Sequence, residues 1–162
     1  MCVVIISMKT YEIENAKEIE ELLKNRKFSP TWLRRNVVEN PEFRLLANGR
    51  KALPLDKPVL SEVKKKGKLF NAVVKYQPWV QQLTLNKNLK CARHVDRNKG
   101  LSLFAMFGDF TGGGLFVETP DGIQHFTQKG VWFEFDGQHP HWTEDFTGDR
   151  YSIVAYCKKH SK

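Results

Sequence analysis

Cysteine is scarce in this 162-residue chain: Cys2, Cys91 and Cys157 stand far apart and form no Cys-x-x-Cys pair. A set so sparse and odd excludes a disulfide framework and a cysteine-based zinc knuckle, and it suits a reducing, intracellular setting, cytoplasmic or nuclear. Long hydrophobic runs are missing too. The apolar opening "MCVVIIS" is too short to span a bilayer and carries neither a basic flank nor a cleavage site, so it reads as a first strand and no membrane partner is expected. There is no internal repeat, no low-complexity linker and no composition break between domains. The triple glycine 112–114 lies between strand-like runs with no helix after it, so it reads as a tight turn rather than a phosphate cradle.

The length suits one domain with one substantial core, and 12% aromatic residues suit a packed globule. The net charge of +8 is uneven. Residues 1–76 hold 16 Lys/Arg against 9 Asp/Glu, whereas residues 77–162 hold 10 against 9. Five of those ten gather in one run, Lys87, Lys90, Arg93, Arg97 and Lys99. Such a cluster is either a solvated basic face or a rim that attracts a polyanion, DNA or RNA being the obvious one.

Ahead of residue 69 the patterns are helical. "NAKEIEELLKNRK" (15–27) places Ala16, Ile19, Leu22 and Leu23 at helical spacing, with Asn15 and Glu18 as N-cap and N3 partner. "SPTWLRRNVV" (29–38) reads as a second short helix capped by Ser29, with Pro30 in its first turn. Residues 40–58 hold three prolines and an Asn-Gly and read as loop with short strands at most, and "SEVKKKGK" (61–68) as a helix end or exposed turn. From residue 69 the rhythm changes. "LFNAVVKY", "WVQQLTLN", "LSLFAMF", "GLFVE", "GIQHF", "GVWFEF" and "RYSIVAYC" are short β-branched and aromatic runs, punctuated by "TGGG", "TPDG" and "FTGD". Many short strands behind a helical lead-in predict an α+β chain, mainly β, with a sandwich or barrel as its core. We expect a single domain over 1–162, with 1–68 as a supporting region and 69–162 as the core.

The chemistry gathers in "CARHVDRNKG" and "DGQHPHWTEDFTGDRYSIVAY". On a strand, residues two apart face the same way, so His94 and Asp96 can offer an imidazole and a carboxylate to one ion. A third ligand is available at His139 or His141. Two histidines and one carboxylate on one face of a metal leave positions open, the facial triad of non-haem Fe(II) oxygenases. Arg150 and Ser152 are again two apart on an expected strand. A buried arginine there needs an anion, and a dicarboxylate co-substrate meets that need, one end on the iron and the other on the Arg150 fork and the Ser152 hydroxyl. His125 and His160 read as structural and exposed respectively. Trp132, Trp142 and Phe104 read as core aromatics, and Asp109 and Asp136 as turn residues.

Residues from about 78 to 157 resemble the Fe(II)/2-oxoglutarate-dependent dioxygenases, in "LTLNKN", "RHVDRNKG", "LSLFAMFGDFTGGGLFV" and "FDGQHPHWTEDFTGDRYSIVAY". The resemblance implies a double-stranded β-helix (jelly roll) core, Fe(II) on His94, Asp96 and His141, and 2-oxoglutarate held by Arg150 and Ser152. It also implies O2 as co-substrate and Asn86, in an Asn-x-Asn pattern with Asn88, as a further co-substrate contact. The spacing to Arg150 favours His141 over His139 as ligand and leaves His139 beside the site. An arginine anchor and the wording of "GDFTGGGLFV" look closest to the ten-eleven-translocation/base-J thymine-hydroxylase branch, and less like the collagen-type prolyl hydroxylases. The resulting expectation is a monomeric enzyme hydroxylating a base methyl group, methylcytosine or thymine. The alternatives are a prolyl or lysyl hydroxylase of proteins and a non-catalytic jelly-roll binding module.

Overall fold

The structure is a computed structural model, and it describes residues 7–26, 28, 44–46, 68–96 and 100–156. Most of the "MCVVIIS" strand, the expected helix over 29–38, most of 40–58 and of 61–68, Arg97, Lys99, Cys2, Cys157 and His160 lie outside them.

The described elements run β1 (Lys9–Glu12), α1 (Ala16–Lys24), β2 (Arg44–Leu46), α2 (Lys68–Val74), β3 (Gln82–Lys87), β4 (Leu101–Phe107), β5 (Phe110–Gly112), β6 (Leu115–Thr119), β7 (Gly122–Phe126), β8 (Val131–Asp136), β9 (His141–Thr143), β10 (Phe146–Gly148) and β11 (Tyr151–Tyr156). Six strands form one antiparallel sheet in the order β1-β8-β4-β11-β3-β2, and β7-β6-β9 form a smaller one. A short β10–β5 pair lies beside them. Every pairing between strands is antiparallel.

Strand alternation sorts the side chains of the larger sheet into two cores. Leu83 and Leu85 of β3, Leu103, Ala105 and Phe107 of β4, and Ile153 and Ala155 of β11 pack with Ile19 and Leu23 of α1 and Phe70 and Val73 of α2. Their neighbours on the opposite face, Phe104, Met106, Phe133 and Phe135, meet Leu115, Val117 and Phe126 of the smaller sheet. The central strands are thus buried on both faces, which is why "LSLFAMF" is apolar almost throughout. Each large apolar side chain so buried stabilises the fold by about 1.5–3 kcal/mol.

Two local expectations change. "LFNAVVKY" is not a strand: Lys68–Val74 is helical, with Leu69, Phe70, Ala72, Val73 and Val74 all buried. A run buried nearly all round has no polar face to reveal its period, and its valines read as β. Asn15 makes no side-chain cap to the N–H groups of α1. Its amide instead donates to Glu18 Oε1 and to the Ala72 carbonyl, each at 2.9 Å, which ties α1 to α2. Among the described residues no helix is long and apolar enough to cross a membrane.

Candidate functional site

His94 and His141 form a β-bridge between the segment after β3 and the start of β9. Each backbone N–H donates to the other's carbonyl, at 3.1 and 2.9 Å. The chain leaves that pairing after His94, and Asp96 is held by its N–H donating to the Gly137 carbonyl at 2.7 Å. Convergence of His94 and Asp96 therefore comes from two anchors and not from one regular strand. Gly137 leaves room at that approach, since a Cβ there would lie a tight 3.1 Å from Asp96 Oδ2 and 3.2 Å from its Cβ.

The ligand atoms of His94, Asp96 and His141 lie within 4.8 Å of one another. His94 Nδ1 lies 2.7 Å from the Ala92 carbonyl, and His141 Nδ1 2.8 Å from that of His139. A carbonyl only accepts, so each Nδ1 carries a proton and each Nε2 is the ring nitrogen turned inward. Both Nε2 atoms face the Asp96 carboxylate, His94 Nε2 at 3.5 Å from Oδ1 and His141 Nε2 at 3.2 Å from Oδ2. Two imidazole nitrogens and a carboxylate so converged suit a shared cation, and fixing the outer nitrogen on a carbonyl is how metal-binding histidines are oriented. Phe135 packs edge-on against His141 at 5.2 Å between centroids.

Arg150 lies just before β11, 2% exposed. Its Nε donates to the Gly113 carbonyl at 2.7 Å, while Nη1 to Leu89 O (3.4 Å) and Nη2 to Met106 Sδ (3.5 Å) are long. Phe104 and Phe146 lie against the guanidinium. No carboxylate among the described residues pairs with it. Burial pulls its pKa well below the usual arginine range, to about 10, with Cys91 pushing the other way. Ser152 and Asn86 stand opposite each other on β11 and β3, and Asn86 Nδ2 donates to Ser152 Oγ at 3.3 Å. Asn86 Oδ1 is buried without a partner. The site thus has a charge without a counter-charge and a polar atom without a bond, both costly in a dry core.

Sequence reasoning singled out neither the Gly113 carbonyl nor the role of Asn88. Asn88 adopts a positive φ of 54° and brackets the Arg150 backbone. Its Oδ1 accepts from Arg150 N–H at 2.7 Å, and its own N–H donates to Arg150 O at 2.7 Å. The Asn-x-Asn spacing and the triple glycine were the signals for both, since asparagine and glycine tolerate the left-handed backbone.

The remaining residues fall outside the cluster. His139 contributes its backbone carbonyl to His141. His125 stacks on Phe116 (4.1 Å, 8°) and meets Glu144 at 3.2 Å, a structural setting. Trp132 and Phe104 are core residues, but Trp142 lies half-buried on the outer face, stacked on Phe116. Cys91 is half-buried and exchanges bonds with Thr143. Of the basic run, Lys90 is paired with Asp145 and Arg93 with Glu118, and Lys87 lies over the Tyr151 ring.

No protein-family model matches the sequence, and no curated protein matches it. Among solved structures, the chain is similar to a Pseudomonas putida prolyl-4-hydroxylase at a TM-score of 0.59 and 14% identity, over 94% of this chain and 92% of that one. It is also similar to a Burkholderia pseudomallei oxidoreductase of the 2OG-Fe(II) oxygenase family, at 0.55 and 15%, over 86% and 76%. Neither is described as a ten-eleven-translocation or base-J enzyme, so that finer assignment gains no support. Likeness at such identity is likeness of fold: this chain has the jelly-roll fold of 2OG-Fe(II) oxygenase structures.

Proposed function

We propose that the chain is an Fe(II)- and 2-oxoglutarate-dependent dioxygenase that hydroxylates a C–H bond in a protein side chain, proline foremost. The observation that carries the reading is the inward turn of two Nε2 atoms, each ring held by its Nδ1 on a backbone carbonyl, onto the Asp96 carboxylate. The residues fit both groups. His94, Asp96 and His141 supply a facial triad suited to Fe(II), and Arg150, Ser152 and the unpartnered Asn86 Oδ1 suit a polar, dianionic co-substrate.

When bound, iron and 2-oxoglutarate supply the oxidising power, with O2 divided between succinate and product and CO2 released. The chain's own task is placement and exclusion of water. The Ala92 and His139 carbonyls hold both imidazoles in the ligating tautomer. Asn88 and Gly113 fix the Arg150 backbone and side chain, so that its remaining N–H groups can take a carboxylate. Phe104, Phe133 and Phe135 line the space between the sheets with apolar surface.

For the substrate, two observations favour protein over nucleic acid. The prolyl-4-hydroxylase structure aligns over nearly the whole chain, and Lys90 and Arg93 already hold acidic partners. Incubation with peptide and oligonucleotide pools, followed by mass spectrometry for a gain of one oxygen atom, tests the choice. A proline-containing peptide is the expected product carrier. Oxidation of oligonucleotides alone would reverse the substrate assignment.

A further inference from the structure

At the end of the larger sheet nearest the cluster, a row of uncharged polar side chains crosses its inner face. Phe135, edge-on to His141, stands opposite Ser102 on β4. The β11–β4 register (Ala155 opposite Leu103) brings Tyr156 beside Ser102, and Tyr156 stands opposite Gln82 on β3. Leu83, Leu103 and Ala155 belong to the helix-side core, so alternation turns Ser102, Tyr156 and Gln82 towards the smaller sheet. From Phe135 to Gln82 the row spans three strand spacings, about 14 Å.

Gln82 is 8% exposed, yet its amide makes no hydrogen bond to any described residue. Ser102, also buried, makes none through its hydroxyl. Thr84, one step deeper, is by contrast matched with the Tyr156 hydroxyl at 3.3 Å. The sealed side-chain atoms without a partner among the described residues are Asn71 Oδ1 and Asn86 Oδ1, so the Gln82 amide and the Ser102 hydroxyl are not sealed in and keep surface that an arriving group can meet.

We infer that Gln82, with Ser102 and the Tyr156 hydroxyl, forms the substrate-recognition row, and that it binds an uncharged peptide amide flanking the hydroxylated residue. The inference rests on the oxygenase reading above. A glutamine amide offers two donors and an acceptor, matching the C=O and N–H of a backbone amide. A phosphate finds no cation in the row: Arg150 is the one buried Lys or Arg among the described residues, and it lies six residues, about 20 Å, down β11.

The test uses the full chain loaded with Mn(II) and 2-oxoglutarate, and a capped, fluorescein-labelled peptide of alternating proline and alanine. Binding is read by fluorescence anisotropy for wild type, Gln82→Met and Ser102→Ala, with a single-stranded oligonucleotide as second probe. We expect Gln82→Met to weaken peptide binding by about 5- to 20-fold, the equivalent of one or two hydrogen bonds, and Ser102→Ala by less. Calorimetric titration of 2-oxoglutarate on the same samples should move less than twofold. Peptide affinity within twofold of wild type in Gln82→Met overturns the inference, as does wild-type binding of the oligonucleotide alone or of neither probe. Failure of wild type to bind 2-oxoglutarate sinks the oxygenase reading itself, and the inference with it.

Discussion

Replacing Arg150 by methionine separates a functional anchor from a structural core residue. The guanidinium is almost fully buried, and burial lowers its pKa from the ordinary arginine value to about 10. A displacement of that size corresponds to roughly 3 kcal/mol against the charged form. Methionine of similar length removes that penalty but loses the 2.7 Å bond from Nε to the Gly113 carbonyl. A charge-assisted bond of that kind contributes about 1.5–3 kcal/mol, and the two longer contacts add little. The ligand-free variant should therefore match wild type or exceed it by about 1 kcal/mol in urea unfolding at constant m. At a hundredfold excess over its dissociation constant, 2-oxoglutarate should stabilise metal-loaded wild type by about 2.7 kcal/mol and leave the variant unmoved. The pH dependence has a definite sign. Because the folded pKa lies below the unfolded one, the penalty is complete below about pH 10 and fades as pH rises from there towards the ordinary arginine value. The stability difference between the proteins should shift in favour of wild type across that window. Destabilisation of the ligand-free variant by more than about 3 kcal/mol, with an undiminished response to 2-oxoglutarate, would refute the reasoning.

His141→Ala should abolish tight metal binding, whereas His139→Ala, which keeps the backbone carbonyl on His141 Nδ1, should change metal affinity little; the reverse ranking in a calorimetric titration would transfer the ligand role. Asn88→Gly preserves the positive φ but removes the acceptor on Arg150 N–H, so the 2-oxoglutarate dissociation constant should rise by about tenfold with metal affinity within twofold. Gly137→Ala sets a methyl 3.1 Å from Asp96 Oδ2, and should weaken Mn(II) binding by about tenfold while thermal unfolding shifts by only a few degrees.

The sequence exposed strands and the residues of the converging cluster better than it exposed their supports. "LSLFAMF", "GVWFEF" and "RYSIVAYC" read correctly because short aromatic and β-branched runs bounded by glycine turns suit strands even where burial on both faces leaves little alternation. The helix Lys68–Val74 was hidden because burial on nearly every side erased its polar face. His94, Asp96, His141, Arg150 and Ser152 could be singled out because such residues at such spacings have few other uses in an interior. Gly113, Gly137 and Asn88 act through carbonyls and backbone shape, to which residue identity gives only an indirect clue. The basic run could not reveal its pairing: Asp145 and Glu118, which face Lys90 and Arg93, are remote in sequence and near only in the fold.

The most direct test of the account is succinate formation from 2-oxoglutarate by the purified protein, with and without Fe(II), in wild type and Asp96→Ala. Asp96 provides the one anionic ligand of the cluster, so its loss should remove Fe(II) and turnover together while leaving the sheets intact by circular dichroism. Succinate should form from wild type only when Fe(II) and O2 are present, with none above background from Asp96→Ala. Fe(II)-independent succinate, none from iron-loaded wild type, or equal yields from both proteins would contradict the oxygenase reading.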